Sequence, residues 1–189
     1  MDGYDAVVYD LDGTLVRLDV DWDAVTREAA TVYREAGVDP PIGDLWTLLD
    51  AAEEHGVGEE IAALVCERER EGARRSDRLF LADELRDRAA AGVPVGVCSL
   101  NCEDAVRIAL AEHELAESVR QGAIVGRDTV ATRKPDPEPL LSTCRALSVD
   151  PGRTLFVGDS PRDERTADRA GTGFAYVSDL DSDRDGTSP

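Results

Sequence analysis

Short apolar runs rich in valine alternate with amphipathic segments along most of this chain. The runs fall at residues 5–9, 93–98, 122–125, 154–157 and 174–177. Uninterrupted apolar runs of this length are typical of strands that are buried on both faces, as in parallel sheets. Segments between them, such as EDAVRIALAEHEL and PEPLLSTCRAL, carry apolar residues at helical spacing. This alternation predicts an α/β fold built on a doubly wound parallel sheet.

The segment 17–78 breaks the alternation because its patterns are helical only. DWDAVTREAATVYREAG has Asp21 as a helix N-cap and Gly37 as a stop, and two further segments repeat the pattern. We therefore expect a small all-helical cap over 17–78, inserted after the first strand. The α/β core would then comprise 1–16 and 79–178.

Two further stretches are strongly charged. The run Glu67–Arg75 is most simply interpreted as the solvated face of a helix. Residues 179–189 are polar and acidic, and we expect them to form a flexible tail.

The chain is strongly acidic, with a formal net charge of −19. Such a surface repels nucleic acids and anionic membranes, and neither is an expected partner. Of the 21 basic residues, only Lys134 is a lysine. A GC-rich genome would explain the preference for arginine but not the excess of acids, so we favour adaptation to concentrated salt, where repulsion is screened.

Other features of the sequence predict a cytoplasmic protein, and its oligomeric state, monomer or homodimer, stays open. No apolar run approaches the length of a bilayer-spanning helix, and the N-terminus lacks a basic and apolar leader. Four cysteines occur without a C-x-x-C pair, and we expect all four to be reduced, buried residues.

Polar residues follow the ends of the predicted strands. In VVYDLDGTLV, Asp10 and Asp12 are two residues apart, so in an extended chain both carboxylates face the same side. Two such acids repel each other unless a cation or a shared proton lies between them. A simpler interpretation of Asp12-Gly13 is an ordinary turn. Later strand ends contribute further polar residues, namely Ser99, Asn101, Lys134, Asp159 and Asp163.

These residue types suit phosphoryl transfer, because carboxylates can act as nucleophile, proton carrier and magnesium ligand, and a cation neutralises the phosphate. Lys134 stands alone in a chain that otherwise uses arginine, which favours a site that needs a compact ammonium group. Two alternatives are purely structural: Ser99 could cap the helix that follows it, and Asp163 could belong to a helix N-terminus.

Four segments, DLDGTLV, VGVCS, RKPDPEP and VGDSPRDERTADRAG, resemble in order and spacing the four motifs of the haloacid dehalogenase superfamily of phosphohydrolases. The resemblance covers the whole predicted core and implies a Rossmann-like fold. A cap directly after the first motif resembles the phosphoglycolate phosphatase-like branch.

The resemblance implies a phosphatase that uses Mg²⁺ and an aspartyl-phosphate intermediate. Asp10 would be the nucleophile, and Asp12 would protonate the leaving group and then activate water. Mg²⁺ would be bound by the carboxylates of Asp10 and Asp159 and by the backbone carbonyl of Asp12. Asp163 and Thr14 would lie next to these groups and orient them, or Asp163 would bind the metal directly, as it does in some relatives.

The resemblance also implies a phosphate-binding set made of Ser99, Leu100, Asn101 and Lys134. Ser99 would hydrogen-bond the phosphoryl group and Lys134 would neutralise it. Relatives usually follow the serine directly with asparagine, whereas Leu100 intervenes here, which puts the role of Asn101 in doubt. Arg17 is a candidate contact for an anionic substrate.

The expected substrate is a small phosphorylated metabolite. Two other functions stay open: a phosphate-transferring mutase of the same superfamily, which shares these core residues, and a non-catalytic binding or regulatory module on the same fold. A dehalogenase normally lacks the second acid of the first motif, and a phosphonatase needs a cap lysine that this chain does not have.

Overall fold

The computed structural model of the chain describes residues 3–184. The strands in this range are β1 (Ala6–Tyr9), β2 (Val16–Arg17), β3 (Asp77–Arg78), β4 (Val95–Cys98), β5 (Ile124–Val125), β6 (Thr154–Gly158) and β7 (Gly173–Tyr176). The α-helices are α1 (Trp22–Glu35), α2 (Leu45–Ala51), α3 (Gly58–Ala73), α4 (Leu81–Ala90), α5 (Glu103–Glu112), α6 (Glu138–Leu147), α7 (Pro161–Ala170) and α8 (Val177–Arg184). No α-helix among these residues is both long and apolar enough to cross a membrane.

Five parallel strands form the central sheet in the order β5-β4-β1-β6-β7. Alternate residues of β1 enter two different apolar clusters, Val7 and Tyr9 on one face and Ala6 and Val8 on the other. Helices therefore cover both faces, and the predicted doubly wound α/β fold is confirmed. From β1 the chain builds outward through β4 and β5 and then returns to the other side of β1 with β6. Ligands in such sheets bind beyond the carboxyl ends of the strands, where the winding direction changes.

Helices α1, α2 and α3 lie between β2 and β3 in the sequence and pack around an apolar cluster of their own. Val25 of α1, Leu48 of α2 and Ile61 of α3 are almost completely buried in it. The hydroxyl of Tyr33 donates a hydrogen bond of 2.6 Å to the carbonyl of Leu48, which ties α1 to α2. A separate cluster is consistent with the helical cap that we predict for 17–78.

The two ends of this helical segment are neighbours. Strands β2 and β3 form an antiparallel ribbon in which Val16 lies opposite Arg78 and Arg17 lies opposite Asp77. The predicted cap boundaries fall in this ribbon, so the chain leaves and re-enters the core at one place. The division into separate domains stays a prediction.

The expectation that all four cysteines are reduced is wrong. Cys66 of α3 and Cys102 form a disulfide, although 36 residues separate them in sequence. Their pairing depends on how α3 packs against α5, and spacing along the chain does not reveal it. Cys98 and Cys144 are free and buried, as expected.

The first part of the expected flexible tail is helical in the structure. Helix α8 continues to Arg184, so residues 179–184 are helical. The rest of that predicted tail, 185–189, lies outside the described residues.

Candidate active site

Asp10 lies at the carboxyl end of the central strand. Its backbone N–H donates a hydrogen bond of 2.9 Å to the carbonyl of Val157, so sheet bonding continues to this residue and fixes its side chain at the sheet edge. Only 8% of Asp10 is exposed. Burial raises the pKa of Asp10 above its ordinary value, and the ammonium group of Lys134 opposes that shift.

Asp12 stands beside Asp10 on a compact loop. Its Oδ1 accepts a hydrogen bond of 2.8 Å from the backbone N–H of Leu18, which orients the carboxylate. Desolvation raises the pKa of Asp12, as it does for Asp10. Both acids line the same cavity, so the loop brings together the two carboxylates that the sequence singles out.

Lys134 provides the positive charge behind Asp10. Its Nζ lies 2.9 Å from Asp10 Oδ1 and 2.5 Å from Asp163 Oδ1, and it donates a hydrogen bond of 3.2 Å to the carbonyl of Cys98. Only 3% of this residue is exposed. Burial would lower the pKa of Lys134, but the two carboxylates outweigh that effect, so the pKa is raised and the ammonium stays charged.

Asp163 has both oxygens engaged. Its Oδ1 faces Lys134, and its Oδ2 accepts a hydrogen bond of 2.5 Å from the hydroxyl of Ser160. Ser160 and Asp163 also form the capping box that starts α7. The structural alternative for Asp163 is therefore correct, and the same residue also positions Lys134 beside Asp10.

Asp159, which follows β6, completes a group of acids. Asp10, Asp159 and Asp163 each offer a carboxylate oxygen, and these oxygens lie within 4.8 Å of one another. Gly13 makes room for this arrangement, because a Cβ built on it would approach Asp159 Oδ2 to 2.1 Å. Burial, and then the charge of Asp163, raise the pKa of Asp159. A cluster of hard carboxylate oxygens that repel one another fits Mg²⁺.

The loop after β4 carries the predicted phosphate-binding residues. The hydroxyl of Ser99 donates a hydrogen bond of 2.9 Å to Asn101 Oδ1, and the backbone N–H of Asn101 donates one of 3.2 Å to Ser99 Oγ. Helix α5 begins at Glu103 with Cys102 as its N-cap residue. The alternative that Ser99 caps this helix is therefore wrong. Ser99, Leu100 and Asn101 all line the cavity that contains Asp10.

Glu69 is a residue of the site region that sequence reasoning missed. The charged run around it was expected to be solvated, yet Glu69 is fully buried against the loop after β4. It accepts hydrogen bonds from Cys102 N, from Asn101 Nδ2 and from Arg127, a second missed residue. A signal was available for Glu69, since it continues the four-residue spacing of the buried Ile61 and Val65 along α3.

Two further predicted residues, Arg17 and Thr14, lie outside the cavity lining. Arg17 is exposed on β2 and is not among the residues that line the cavity in the described part of the chain. By contrast, Arg162 and Arg165 of α7 do line the cavity. Thr14 is fully buried behind the loop of Asp12, and its hydroxyl has no hydrogen-bond partner among residues 3–184.

The cavity has a volume of about 670 Å³ and is lined by residues of the α/β core and of the helical segment between β2 and β3. The helical segment contributes Trp22, Asp23, Thr26, Gly43, Asp44, Leu45 and Trp46. Arg162 lies over the ring of Trp46, with 5.4 Å between the guanidinium carbon and the ring centroid. Aromatic and guanidinium groups therefore line the same cavity as the acidic centre.

Comparisons with known proteins identify the family of this chain. The model of the haloacid dehalogenase-like hydrolase family matches residues 4–171. A phosphoglycolate phosphatase of Rhodospirillum rubrum is 41% identical over 90 residues, 48% of this chain but only 36% of that protein. A phosphoglycolate phosphatase of Cereibacter sphaeroides is 31% identical over 194 residues, which cover 92% of this chain and 84% of that protein.

Solved structures show the same fold. A crystal structure of a protein from Lactobacillus plantarum superimposes with a TM-score of 0.64 at 23% identity, and covers 98% of this chain and 92% of that one. The resemblance predicted from the four motifs is thus confirmed by the family match and by relatives along most of the chain. The chain belongs to the haloacid dehalogenase-like hydrolases.

Proposed function

We propose that this protein is a Mg²⁺-dependent phosphatase that hydrolyses small phosphorylated metabolites through an aspartyl-phosphate on Asp10. The observation that carries the proposal is the position of Asp10, buried at the sheet edge with Lys134 Nζ 2.9 Å from its carboxylate. A carboxylate held there can attack phosphorus only where its charge and that of the phosphate are compensated.

The residues divide the reaction between them. A carboxylate oxygen of Asp10 forms a bond to phosphorus while the bond from phosphorus to the leaving oxygen breaks, and Asp12 gives that oxygen its proton. Asp12 then takes a proton from water, which attacks the phosphorus and releases phosphate from Asp10. Lys134, the hydroxyl of Ser99 and backbone N–H groups of the loop 99–101 hold the phosphoryl oxygens.

Asp10, Asp159 and the backbone carbonyl of Asp12 would hold the metal, as the family resemblance implies. Mg²⁺ bound there would neutralise charge on the phosphoryl oxygens. Asp163 is better suited to positioning, because Lys134 and Ser160 already occupy its two oxygens.

The cavity supports a small organic phosphate as substrate. Trp22 and Trp46 offer apolar walls, and Arg162 and Arg165 offer positive charge for a second anionic group. Because two relatives bear the name phosphoglycolate phosphatase, 2-phosphoglycolate is the first compound to test.

The direct test is a panel of phosphorylated metabolites with the purified protein in molar salt and Mg²⁺, measuring inorganic phosphate. We expect release from at least one small phosphate ester and from an activated aryl phosphate. Conversion of a sugar phosphate to its isomer without phosphate release would indicate a mutase. Binding of these compounds with neither reaction would indicate a non-catalytic module and would contradict the proposal.

Metal removal gives a second test. Activity should disappear with excess chelator and return with Mg²⁺, and also with Mn²⁺, because the proposed ligands are hard oxygens. Asp159→Ala should raise the Mg²⁺ concentration needed for half-maximal activity, because it removes a ligand. Asp168→Ala, which removes an exposed acid of the neighbouring helix α7, serves as the matched control and should change nothing. Full activity in chelator would remove the metal from the mechanism.

Salt dependence tests the proposed adaptation to concentrated salt. The melting temperature should rise from dilute to molar NaCl, because the Debye length shrinks from ~10 Å at 0.1 M to ~3 Å at 1 M and screens the −19 charge. Chloride should act nearly as well as sulfate if screening, and not salting-out, is responsible. A flat or falling series of melting temperatures would refute the adaptation and would leave the phosphatase proposal intact.

A further inference from the structure

The carboxylate of Glu69 reaches from helix α3 into the loop that follows β4. It is fully buried, although it belongs to a segment between two other strands. Its Oε2 accepts a hydrogen bond of 2.9 Å from the backbone N–H of Cys102, and its Oε1 accepts one of 3.3 Å from Asn101 Nδ2. The side chain therefore contacts the loop at two consecutive residues.

Arg127 completes the arrangement from the other side. Its Nη1 lies 2.7 Å from Glu69 Oε1 and also donates a hydrogen bond of 2.9 Å to the carbonyl of Leu100. Its backbone N–H donates another of 2.8 Å to the carbonyl of Asn101. The pair thus holds Leu100, Asn101 and Cys102 by backbone or side-chain hydrogen bonds.

Packing alone does not require this ion pair. Burying two charges carries a desolvation penalty, and an apolar pair of similar volume often serves stability as well or better. What a hydrogen-bonded buried pair adds is a defined geometry, because each donor and acceptor has one low-energy arrangement. Glu69 also brings negative charge to the N-terminal end of α5, where the helix dipole favours it.

We propose that Glu69 and Arg127 are positioning residues, which hold the loop Ser99–Asn101 in the conformation that receives the phosphoryl group. The inference rests on the proposed function, because that function supplies the phosphoryl group as the ligand. The effect that it predicts is on the binding of phosphate and not on turnover. It also gives the helical segment a part in the phosphate site, since α3 supplies Glu69 to a loop of the α/β core.

The test measures the Kd of inorganic phosphate by calorimetry in Mg²⁺, with the full chain and its disulfide intact. The main variant is Glu69→Gln combined with Arg127→Met, which removes both charges together and leaves no unpaired buried charge. We expect the Kd of phosphate to rise by about 10- to 100-fold, the usual effect of losing one hydrogen bond to a charged group. The Cys66–Cys102 disulfide still ties α3 to α5 in this variant, so wholesale detachment of the helix is not the cause.

The chain offers a matched control on the same two helices. Arg70 of α3 pairs with Asp104 of α5 at 3.0 Å, but both side chains are partly exposed and neither contacts the loop. Asp104→Asn should leave the Kd of phosphate unchanged. Arg127→Lys gives a milder variant that keeps the buried charge. It should weaken binding in the same direction, because the shorter lysine side chain does not bring its ammonium to where Arg127 Nη1 bonds both Glu69 and the Leu100 carbonyl.

The outcomes separate this inference from the proposed function. A merely structural role would lower the melting temperature of the double variant and leave its Kd for phosphate like that of the wild type. That result, or phosphate binding at wild-type strength in Arg127→Lys if the double variant does not fold, would overturn the inference. If the wild type releases no phosphate from any ester, the proposed function fails, while weakened phosphate binding in the variants still supports the positioning role. Absence of phosphate binding by the wild type would overturn the inference, and phosphate release from the ester panel would still decide the proposed function.

Discussion

Asp10→Asn is expected to reduce phosphatase turnover by about 10⁴-fold or more while the fold stays intact. The amide has the shape of the carboxylate but lacks its nucleophilicity, so no aspartyl-phosphate forms. The fold should persist because the sheet hydrogen bond at this position is made by the backbone N–H, which pairs with the carbonyl of Val157. Lys134 keeps a carboxylate partner in Asp163, so its buried charge stays compensated.

The measurement is phosphate release with the best substrate of the panel, together with the melting temperature of the purified variant. Asp5→Asn provides a matched control at the opposite end of the same strand, where the exposed Asp5 pairs with Arg153 on the surface. It should keep wild-type activity, since exposed ion pairs contribute little to stability. Activity like that of the wild type in Asp10→Asn would exclude the covalent mechanism.

Asp12→Asn is expected to slow turnover by about 10²- to 10⁴-fold, the usual contribution of a general acid and base. The loss should depend on the leaving group, because an activated aryl phosphate needs little protonation and an alkyl phosphate needs a great deal. The variant is conservative in geometry, since an amide oxygen can still accept the hydrogen bond from Leu18 N–H.

Rates with a series of phosphate esters of different leaving-group pKa test this role. In the wild type the dependence of the first step on leaving-group pKa should be shallow, and in Asp12→Asn it should be steep. A variant that loses the same factor with every ester would show that Asp12 only orients the loop or the metal.

The sheet and most of the acidic centre could be predicted because their signals are local. Buried parallel strands appear as short apolar runs, and the run predicted at 154–157 corresponds to β6, Thr154–Gly158. The residues after such strands must meet at one edge of the sheet. Asp10, Asp159 and Asp163 accordingly bring carboxylate oxygens within 4.8 Å of one another.

The missed features depend on contacts between distant segments. Glu69 lies in a run of charged residues, and its helical register with the buried Ile61 and Val65 is the signal in the sequence that it faces inward. Cys66 and Cys102 come together because α3 packs against α5. The spacing of the cysteines along the chain does not reveal this contact. Arg17 stays a prediction: its side chain is exposed on β2, and its positive charge opposes the rise in the pKa of Asp12.

The ribbon of β2 and β3 has a consequence for how this family can evolve. Since the chain leaves the core at Val16 and returns at Arg78, its direct partner, a change in the length of chain between them need not move the strands of the central sheet. Helices can be gained, lost or exchanged at this insertion point without moving a strand. Such exchanges would replace the walls around Trp22 and Trp46 and so change which molecules fit, while Asp10 and Lys134 keep their positions.

That freedom is not complete in this chain. The loop after β4 donates two hydrogen bonds to the carboxylate of Glu69, a residue of the segment between β2 and β3. A graft of a foreign segment between β2 and β3 must therefore bring its own acceptor for Cys102 N–H and Asn101 Nδ2. Without such an acceptor, the grafted protein would gain a new specificity, but its loop after β4 would be held less firmly. By the positioning role that we propose for Glu69, it would then bind the phosphoryl group of every substrate more weakly.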